Sequence, residues 1–274
     1  MHALMDRVVV VTGGASGIGR AMAVRFAAAG ARVVIADIEE GPLQVTAAAL
    51  GVTGVQTDVS SIESMNRLRD RVLEQFGVVH VLCNNAGVGG GGRAENLSLK
   101  DWQWVLGVNL WGVIHGIDAF LPTLLAQDEA HMVNTASMAG LMAYPNVPIH
   151  YNATKYAVVG ISETLRNELA DGPVHVSVLC PGFVRTNIMK SQRNRPDELR
   201  NEARNPTGRA MSASLAASPV SLLEAGDVAE MVHDAVMNNR FWVVTHSELL
   251  PLLDERHGAL MAEAAVSAKQ RADR

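Results

Sequence analysis

Val8-Val9-Val10-Val11-Thr12-Gly13-Gly14-Ala15-Ser16-Gly17-Ile18-Gly19 decides the fold. Four β-branched residues run straight into a glycine-rich turn. Ala21 to Ala29 follows, rich in alanine and stopping at Gly30, a good residue for closing a helix. Strand, tight turn and helix in this order make the first part of a dinucleotide-binding βαβ unit. Small residues let the backbone approach a pyrophosphate, while free N–H groups and the helix dipole attract its charge. Gly13, Ser16, Gly17, Ile18 and Gly19 are therefore expected to meet a cofactor. The spacing is Gly-x-x-x-Gly-x-Gly rather than the commoner Gly-x-Gly-x-x-Gly.

Working outward, short apolar runs alternate with helical patterns. Val8 to Val11, Arg32 to Ala36, Val52 to Thr57, Val78 to Cys83, His131 to Thr135, Val174 to Leu179 and Phe241 to Thr245 read as strands. Continuous runs of this kind suit strands buried on both faces of a parallel sheet. Ser60-x-x-Glu63 and Ser98-x-x-Asp101 look like capping boxes opening two helices, and Leu249 to Lys269 reads as a C-terminal helix. The expectation is an α/β, doubly wound Rossmann-type fold: one domain over residues 1–274, with a seven-stranded parallel sheet flanked by helices. One stretch breaks the rhythm. Residues 185–225 hold Pro196, Pro206, Gly208 and Pro219 but no strand pattern, as in a substrate lid inserted in a compact domain. Its charges (Arg185, Lys190, Arg193, Arg195, Arg200, Arg204 and Arg209 against Asp197, Glu198 and Glu202) read as a solvated, partly helical face. Gly89 to Gly92 reads as a flexible loop tip.

Composition narrows the function. The 274 residues are 48% hydrophobic and 19% charged with a net charge of -5, enough apolar material for a core without disulfides. The mild acidity argues against nucleic acid as a partner. Cys83 and Cys180 sit in apolar runs and read as buried, reduced thiols, and the nine histidines form no metal-ligand spacing, so no metal is expected. No signal-peptide pattern or run of about 18 consecutive apolar residues is present, so a cytoplasmic protein without a membrane partner is expected.

Asp37 closes the second strand, 24 residues after Gly13. An acidic side chain about 20 residues beyond the loop accepts hydrogen bonds from the adenosine ribose hydroxyls and repels a 2′-phosphate. Ser16 and Ile38 are uncharged, so no basic group within this unit welcomes that phosphate. NAD is favoured over NADP.

These residues, with Asp58-Val59, Asn84-Asn85-Ala86-Gly87, Asn109, Ser137, Tyr151-x-x-x-Lys155 and Pro181-Gly182 with Thr186, resemble the short-chain dehydrogenase/reductase family along nearly the whole chain. The resemblance implies strand order 3-2-1-4-5-6-7. It implies that Asp58 and Val59 contact the adenine, that Asn85, Ala86 and Gly87 line the cofactor cleft, and that Pro181, Gly182, Val184 and Thr186 hold the nicotinamide end. It also implies a catalytic set of Asn109, Ser137, Tyr151 and Lys155. The chemistry of these residue types agrees. Tyr151 and Lys155 are four apart and share a helix face. An ammonium beside a phenol favours the phenolate, so the pKa of Tyr151 is expected to fall and the tyrosine to act as general acid/base during hydride transfer. Lys155 would also hydrogen-bond the nicotinamide ribose, Ser137 would hold the substrate oxygen, and Asn109 would position a water linking Lys155 to solvent. His150 reads as a structural or substrate-rim residue.

The expected activity is NAD-dependent interconversion of a secondary alcohol and a ketone. Met138, Leu141, Met142, Tyr144, Val147 and Met189 would wall an apolar cavity for an aryl, terpenoid or steroid-like substrate, with the glycine run leaving room for bulk. An epimerase or dehydratase of the extended type would carry Gly-x-x-Gly-x-x-Gly and a larger C-terminal domain. A non-catalytic dinucleotide-binding sensor or scaffold would typically lack the Tyr or the Lys. The resemblance further implies a homotetramer or homodimer, built on the helices near Trp102 to Leu125 and Tyr151 to Ala170.

Overall fold

The valines of the first strand are buried on alternate sides, and this sets the layering. The structure is a computed structural model of the chain, described for residues 1–143, 147–202 and 220–272. Seven parallel strands form one sheet: β1 (Val8–Thr12), β2 (Arg32–Asp37), β3 (Thr53–Gln56), β4 (Val81–Asn84), β5 (Ala130–Thr135), β6 (Val174–Cys180) and β7 (Trp242–Val244). Their spatial order is β3-β2-β1-β4-β5-β6-β7. Val9 and Val11 point to the face covered by α1 (Gly17–Ala28), α2 (Glu40–Leu50) and α7 (Ala225–Met237), where Met22, Phe26, Leu43 and Val232 meet them. Val8 and Val10 point to the opposite face, covered by α3 (Ile62–Phe76), α5 (Gly112–Leu125) and α6 (Ile149–Glu168), among Leu68, Phe120 and Val158. Each such side chain contributes roughly 1.5–3 kcal/mol of burial, and a strand buried on both faces has no polar side to spare.

The sheet builds outward from β1 to β3, then resumes at β4 on the other side of β1. Where the order reverses, the carboxyl ends of β1 and β4 diverge and leave a crevice, the usual place for a ligand in an open α/β sheet.

Boundaries differ from the sequence reading where side chains intervene. The fourth strand starts at Val81 rather than Val78, because the His80 ring accepts the Val8 N–H at 3.0 Å in place of a backbone partner. Ser98 and Asp101 form the expected capping box at the start of α4 (Leu99–Leu106). Ser60 does not cap α3; Ser61 does, accepting the Ser64 N–H at 3.2 Å, while the Ser60 hydroxyl donates to Asp58 at 2.7 Å.

From α4 the chain passes through a π-helical turn (Gly107–Trp111) into α5. By length and composition Leu99–Leu125 could cross a membrane, but here it packs on the sheet, burying Val113, Gly116, Ala119, Phe120 and Leu124. A polar thread runs beneath it: Asn84 donates to Asn134 at 2.9 Å, Asn134 to Ser162 at 3.1 Å, and Ser162 to the Val158 carbonyl at 2.7 Å. After β6 the chain makes two 3-10 turns, Ile188–Asn194 over the crevice and Asp197–Leu199 beyond it. Residues 203–219, with Arg204, Pro206, Gly208, Arg209 and Pro219, lie outside the described residues. The C-terminal helix α8 (Leu250–Ala272) buries none of its residues and is tied to α6 by Arg256 stacked over the Tyr156 ring.

A methyl group at Gly116 would overlap the amide oxygen of Asn84, so α5 can approach β4 only without a side chain there. Gly116→Ala is expected to lower stability by about 1–3 kcal/mol through overpacking. The urea midpoint should fall with an unchanged m-value; an unshifted midpoint would refute this close packing.

Candidate active site

Thr12, at the carboxyl end of β1, ties the crevice together. Its hydroxyl donates to the Cys83 carbonyl at 3.3 Å and accepts the N–H groups of Asn85 (2.9 Å) and Ala86 (3.1 Å). The Asn85 amide returns a bond to the Thr12 carbonyl at 2.9 Å. The glycine loop and the Asn85–Gly87 loop are thereby held edge to edge. A Cβ at Gly13 (φ +66°) would lie 2.8 Å from the Ala86 Cα, and one at Gly19 would collide with the Gly13 carbonyl. These glycines are demanded by contact between backbones, and the cradle they leave fits a pyrophosphate.

Gly13, Ser16, Gly17 and Ile18 line the cleft beside this cradle, and Gly19 sits behind it. At the end of β2, the Asp37 carboxylate accepts the N–H groups of Ala15 (3.0 Å) and Glu39 (3.1 Å). Burial raises its pKa, and the backbone bonds oppose that rise. Asp58 and Val59 form the next stretch of wall, with Asp58 also accepting from Ser60.

At the far end lie Tyr151 and Lys155, one turn apart on α6, with the Lys155 ammonium 5.6 Å from the centre of the Tyr151 ring. Ser137, just beyond β5, hydrogen-bonds Tyr151. Its hydroxyl also reaches the Pro181 carbonyl at 3.3 Å, which joins the phenol to the loop after β6. Lys155 is buried and donates to the Thr135 carbonyl at 2.8 Å. Pro181, Gly182, Val184 and Thr186 complete the wall here.

A profile of the short chain dehydrogenase family matches residues 7–197. The chain belongs to this family. It is similar to a short-chain dehydrogenase/reductase from Burkholderia phymatum, whose structure is a complex with NAD: 42% identity over 96% of this chain and 97% of that one, with a TM-score of 0.91. It is also similar to the 1-deoxy-11-beta-hydroxypentalenate dehydrogenase of Streptomyces exfoliatus, at 36% identity over 90% of this chain and 86% of that one. The CLA biosynthesis dehydrogenase/reductase of Lactiplantibacillus plantarum is 30% identical over 97% and 96%. The protein is accordingly a short-chain oxidoreductase with the Rossmann-type sheet of its relatives.

Within this short-chain dehydrogenase, one cleft collects every candidate catalytic and cofactor residue except Gly19 and Asn109. Asn109, in the π-helical turn, is fully buried; its amide accepts the Val88 N–H at 2.8 Å and donates to the Val88 carbonyl at 3.0 Å. A Cβ at Gly87 would lie 3.4 Å from the Asn109 amide oxygen and 3.9 Å from the Lys155 ammonium, so Gly87 marks where the two side chains converge.

The electrostatics depart from the sequence expectation. Burial raises the Tyr151 phenol, partly offset by the Ser137 hydrogen bond. Lys155 does not supply the expected lowering, and burial brings its own pKa down to about 8. Desolvation is the leading cause at both groups.

The substrate end holds further corrections. Met138, Met142, Val147 and Met189 line the cleft as expected, and Tyr144 lies outside the described residues. Leu141 faces a separate hollow beside Tyr156 and Trp242. The glycine run is no loose tip: Gly89 donates to Ser191 at 2.9 Å, and a Cβ at Gly90 would sit 2.5 Å from the His150 ring. His150 is buried against Trp102, their rings 5.9 Å apart. The expected solvated face fails at Arg195, which is buried, bonded to Asp101 at 2.7 Å and stacked over Trp104; Arg193 stays exposed and pairs with Glu39 across the cleft.

The sequence reading also missed wall residues. Trp104 and Val108 come from a helix read only as packing, and Leu249 from the chain's far end. His246 shares the Gly182 N–H with Thr245, at 3.2 and 3.1 Å, and thereby fixes the loop after β6. Its position just past the last strand was the available signal, since binding groups gather at the carboxyl ends of such sheets.

Lys155 offers a stability test. In the unfolded chain it keeps its proton to about pH 10.4, whereas the folded value is about 8. The burial penalty is therefore fully present below pH 8 and is relieved as pH rises from 8 to 10.4. Lys155→Met is expected to be more stable than the parent at pH 7, by about 3 kcal/mol less the lost Thr135 bond. Thermal melts from pH 7 to 10 should show that advantage shrinking; a constant difference would refute the depressed pKa.

Proposed function

We propose that this short-chain dehydrogenase is NAD-dependent and interconverts a secondary alcohol and a ketone on an apolar substrate. The observation that carries the reading is a single cleft running from the glycine cradle and Asp37 to the hydrogen-bonded Ser137–Tyr151 pair. When bound, the nicotinamide ring supplies the acceptor or donor of hydride. The chain's residues do the rest. The Tyr151 hydroxyl exchanges a proton with the substrate oxygen, and the Ser137 hydroxyl holds that oxygen. The Lys155 ammonium, already turned to the Thr135 carbonyl, would bond the nicotinamide ribose. Asn109 keeps Val88 and Gly87 in place beside Lys155 and would position a water linking Lys155 to solvent.

Asp37 supports the choice of NAD, since its buried carboxylate offers lone pairs to two ribose hydroxyls and repels a third phosphate. Val88, Trp104, Met138, Met142, Phe183 and Ile188 supply an apolar surface beside Tyr151, which suits an aryl, terpenoid or steroid-like alcohol. A relative acting on a hydroxypentalenate supports a bulky substrate. Residues 185–225 would act as the substrate lid of a single domain. Buried, unpaired Cys83 and Cys180 agree with a cytoplasmic setting, and a homotetramer or homodimer goes with the reading.

Reduced-nicotinamide absorbance with a panel of small, aryl, terpenoid and steroid secondary alcohols tests the reaction. Tyr151→Phe is expected to lose about 10²- to 10⁴-fold in turnover while still binding NADH. Full activity in that variant would remove Tyr151 from the chemistry, and cofactor binding without turnover of any alcohol would favour a sensor. Asp37→Ala is expected to shift the preference for NAD over NADP roughly tenfold toward NADP. An unchanged ratio would overturn the cofactor assignment.

A further inference from the structure

Ser16 and Ile38 offer no positive charge to the adenosine ribose, yet a basic group does stand at that end of the cleft. It comes from the segment after β6. Arg193 lines the cleft with Asp37, Ile38 and Glu39. Its guanidinium makes a two-pronged pair with Glu39: Nε to Oε1 at 2.9 Å and Nη2 to Oε2 at 2.5 Å. The remaining nitrogen, Nη1, donates to the carbonyls of Lys190 (3.0 Å) and Asn187 (3.4 Å). The fork is thus aimed by its own 3-10 turn and held by a carboxylate 154 residues away in sequence.

A planar guanidinium in this setting is the group best shaped to grip a phosphate. Glu39 occupies its fork completely. Each partner moves the other's pKa in the direction of charge: the Arg193 bonds hold Glu39 below the usual carboxylate range, and Glu39 holds Arg193 above its own. Asp37 also acts on Arg193 through its charge, so the guanidinium is within electrostatic reach of the carboxylate expected to meet the ribose.

We infer that Glu39 disarms a latent phosphate-binding arginine, so that the Glu39–Arg193 pair, together with Asp37, excludes a 2′-phosphate from the adenosine ribose. The inference rests on the proposal that the cleft binds NAD. Charge counting gives its consequences. With Asp37 ionised, the local charge is −1 in the parent, 0 in Glu39→Gln, −2 in Arg193→Met and −1 again in the double variant. Only Glu39→Gln leaves the Arg193 fork without its carboxylate and so open to a phosphate.

The test is fluorescence titration of NADH and NADPH into the parent and the three variants at low salt, with thermal melts to confirm folding. The readout is the ratio of the two dissociation constants, NADPH over NADH. Glu39→Gln is expected to lower this ratio about tenfold, and Glu39→Gln/Arg193→Met to restore it to within about threefold of the parent. Arg193→Met alone should raise it. If Glu39→Gln and the double variant give the same ratio, Arg193 takes no part in selection and the inference fails while the NAD reading stands. A pair that is only a structural tether would weaken both nucleotides in parallel and leave all four ratios equal. A folded parent that binds neither nucleotide would overturn the NAD reading, and this inference with it.

Discussion

A single hydroxyl organises the cleft. Thr12 ends a strand buried on both faces, and its hydroxyl bonds the carboxyl end of β1 to that of β4 and to the loop beyond it. Each such bond is worth about 1 kcal/mol net. Their larger effect is geometric. With Asn85 and Ala86 pinned, Gly87 is brought to Asn109 and Lys155, and Lys155 in turn reaches the Thr135 carbonyl at the end of β5. Three adjacent strand ends are thereby locked by bonds between side chains and backbone.

The reactive end is built differently, around two groups that burial makes uncomfortable. Tyr151 is held toward the neutral phenol and Lys155 toward the neutral amine. A site that merely needed a stable ion pair would not be arranged in this way. Perturbed groups of this kind cluster in functional clefts; of the two, only Lys155 is moved toward neutral pH, while Tyr151 is moved away from it. The partial compensations are local and specific: one hydroxyl from Ser137, one carbonyl from Thr135.

Much of this was legible in the sequence, for identifiable reasons. The valine run followed by glycines fixes a parallel strand and a phosphate turn because few other structures tolerate that pattern, and strand order followed from family resemblance. Local spacing places the glycine loop, Asp37 and the Tyr151–Lys155 pair, while Ser137 followed from the family resemblance. What escaped was long-range. The pairs of Arg193 with Glu39 and Arg195 with Asp101 join residues 154 and 94 positions apart, and charge composition alone made the buried Arg195 look solvated. The tyrosine pKa was misjudged because spacing reveals that a lysine is near, but not that both side chains are out of water.

The segment after β6 is fastened at two points of unlike character. Arg193 and Glu39 remain in contact with water, their side chains 37% and 21% exposed, whereas Arg195 and Asp101 are at 4% and 6%. Dissolved ions act strongly on the first pair and hardly on the second, since screening over about 8–10 Å at ordinary ionic strength requires solvent to carry it. Ionic strength thus loosens one end of the segment independently of the other: in brine the Glu39 end would slacken while the Asp101 end stayed moored.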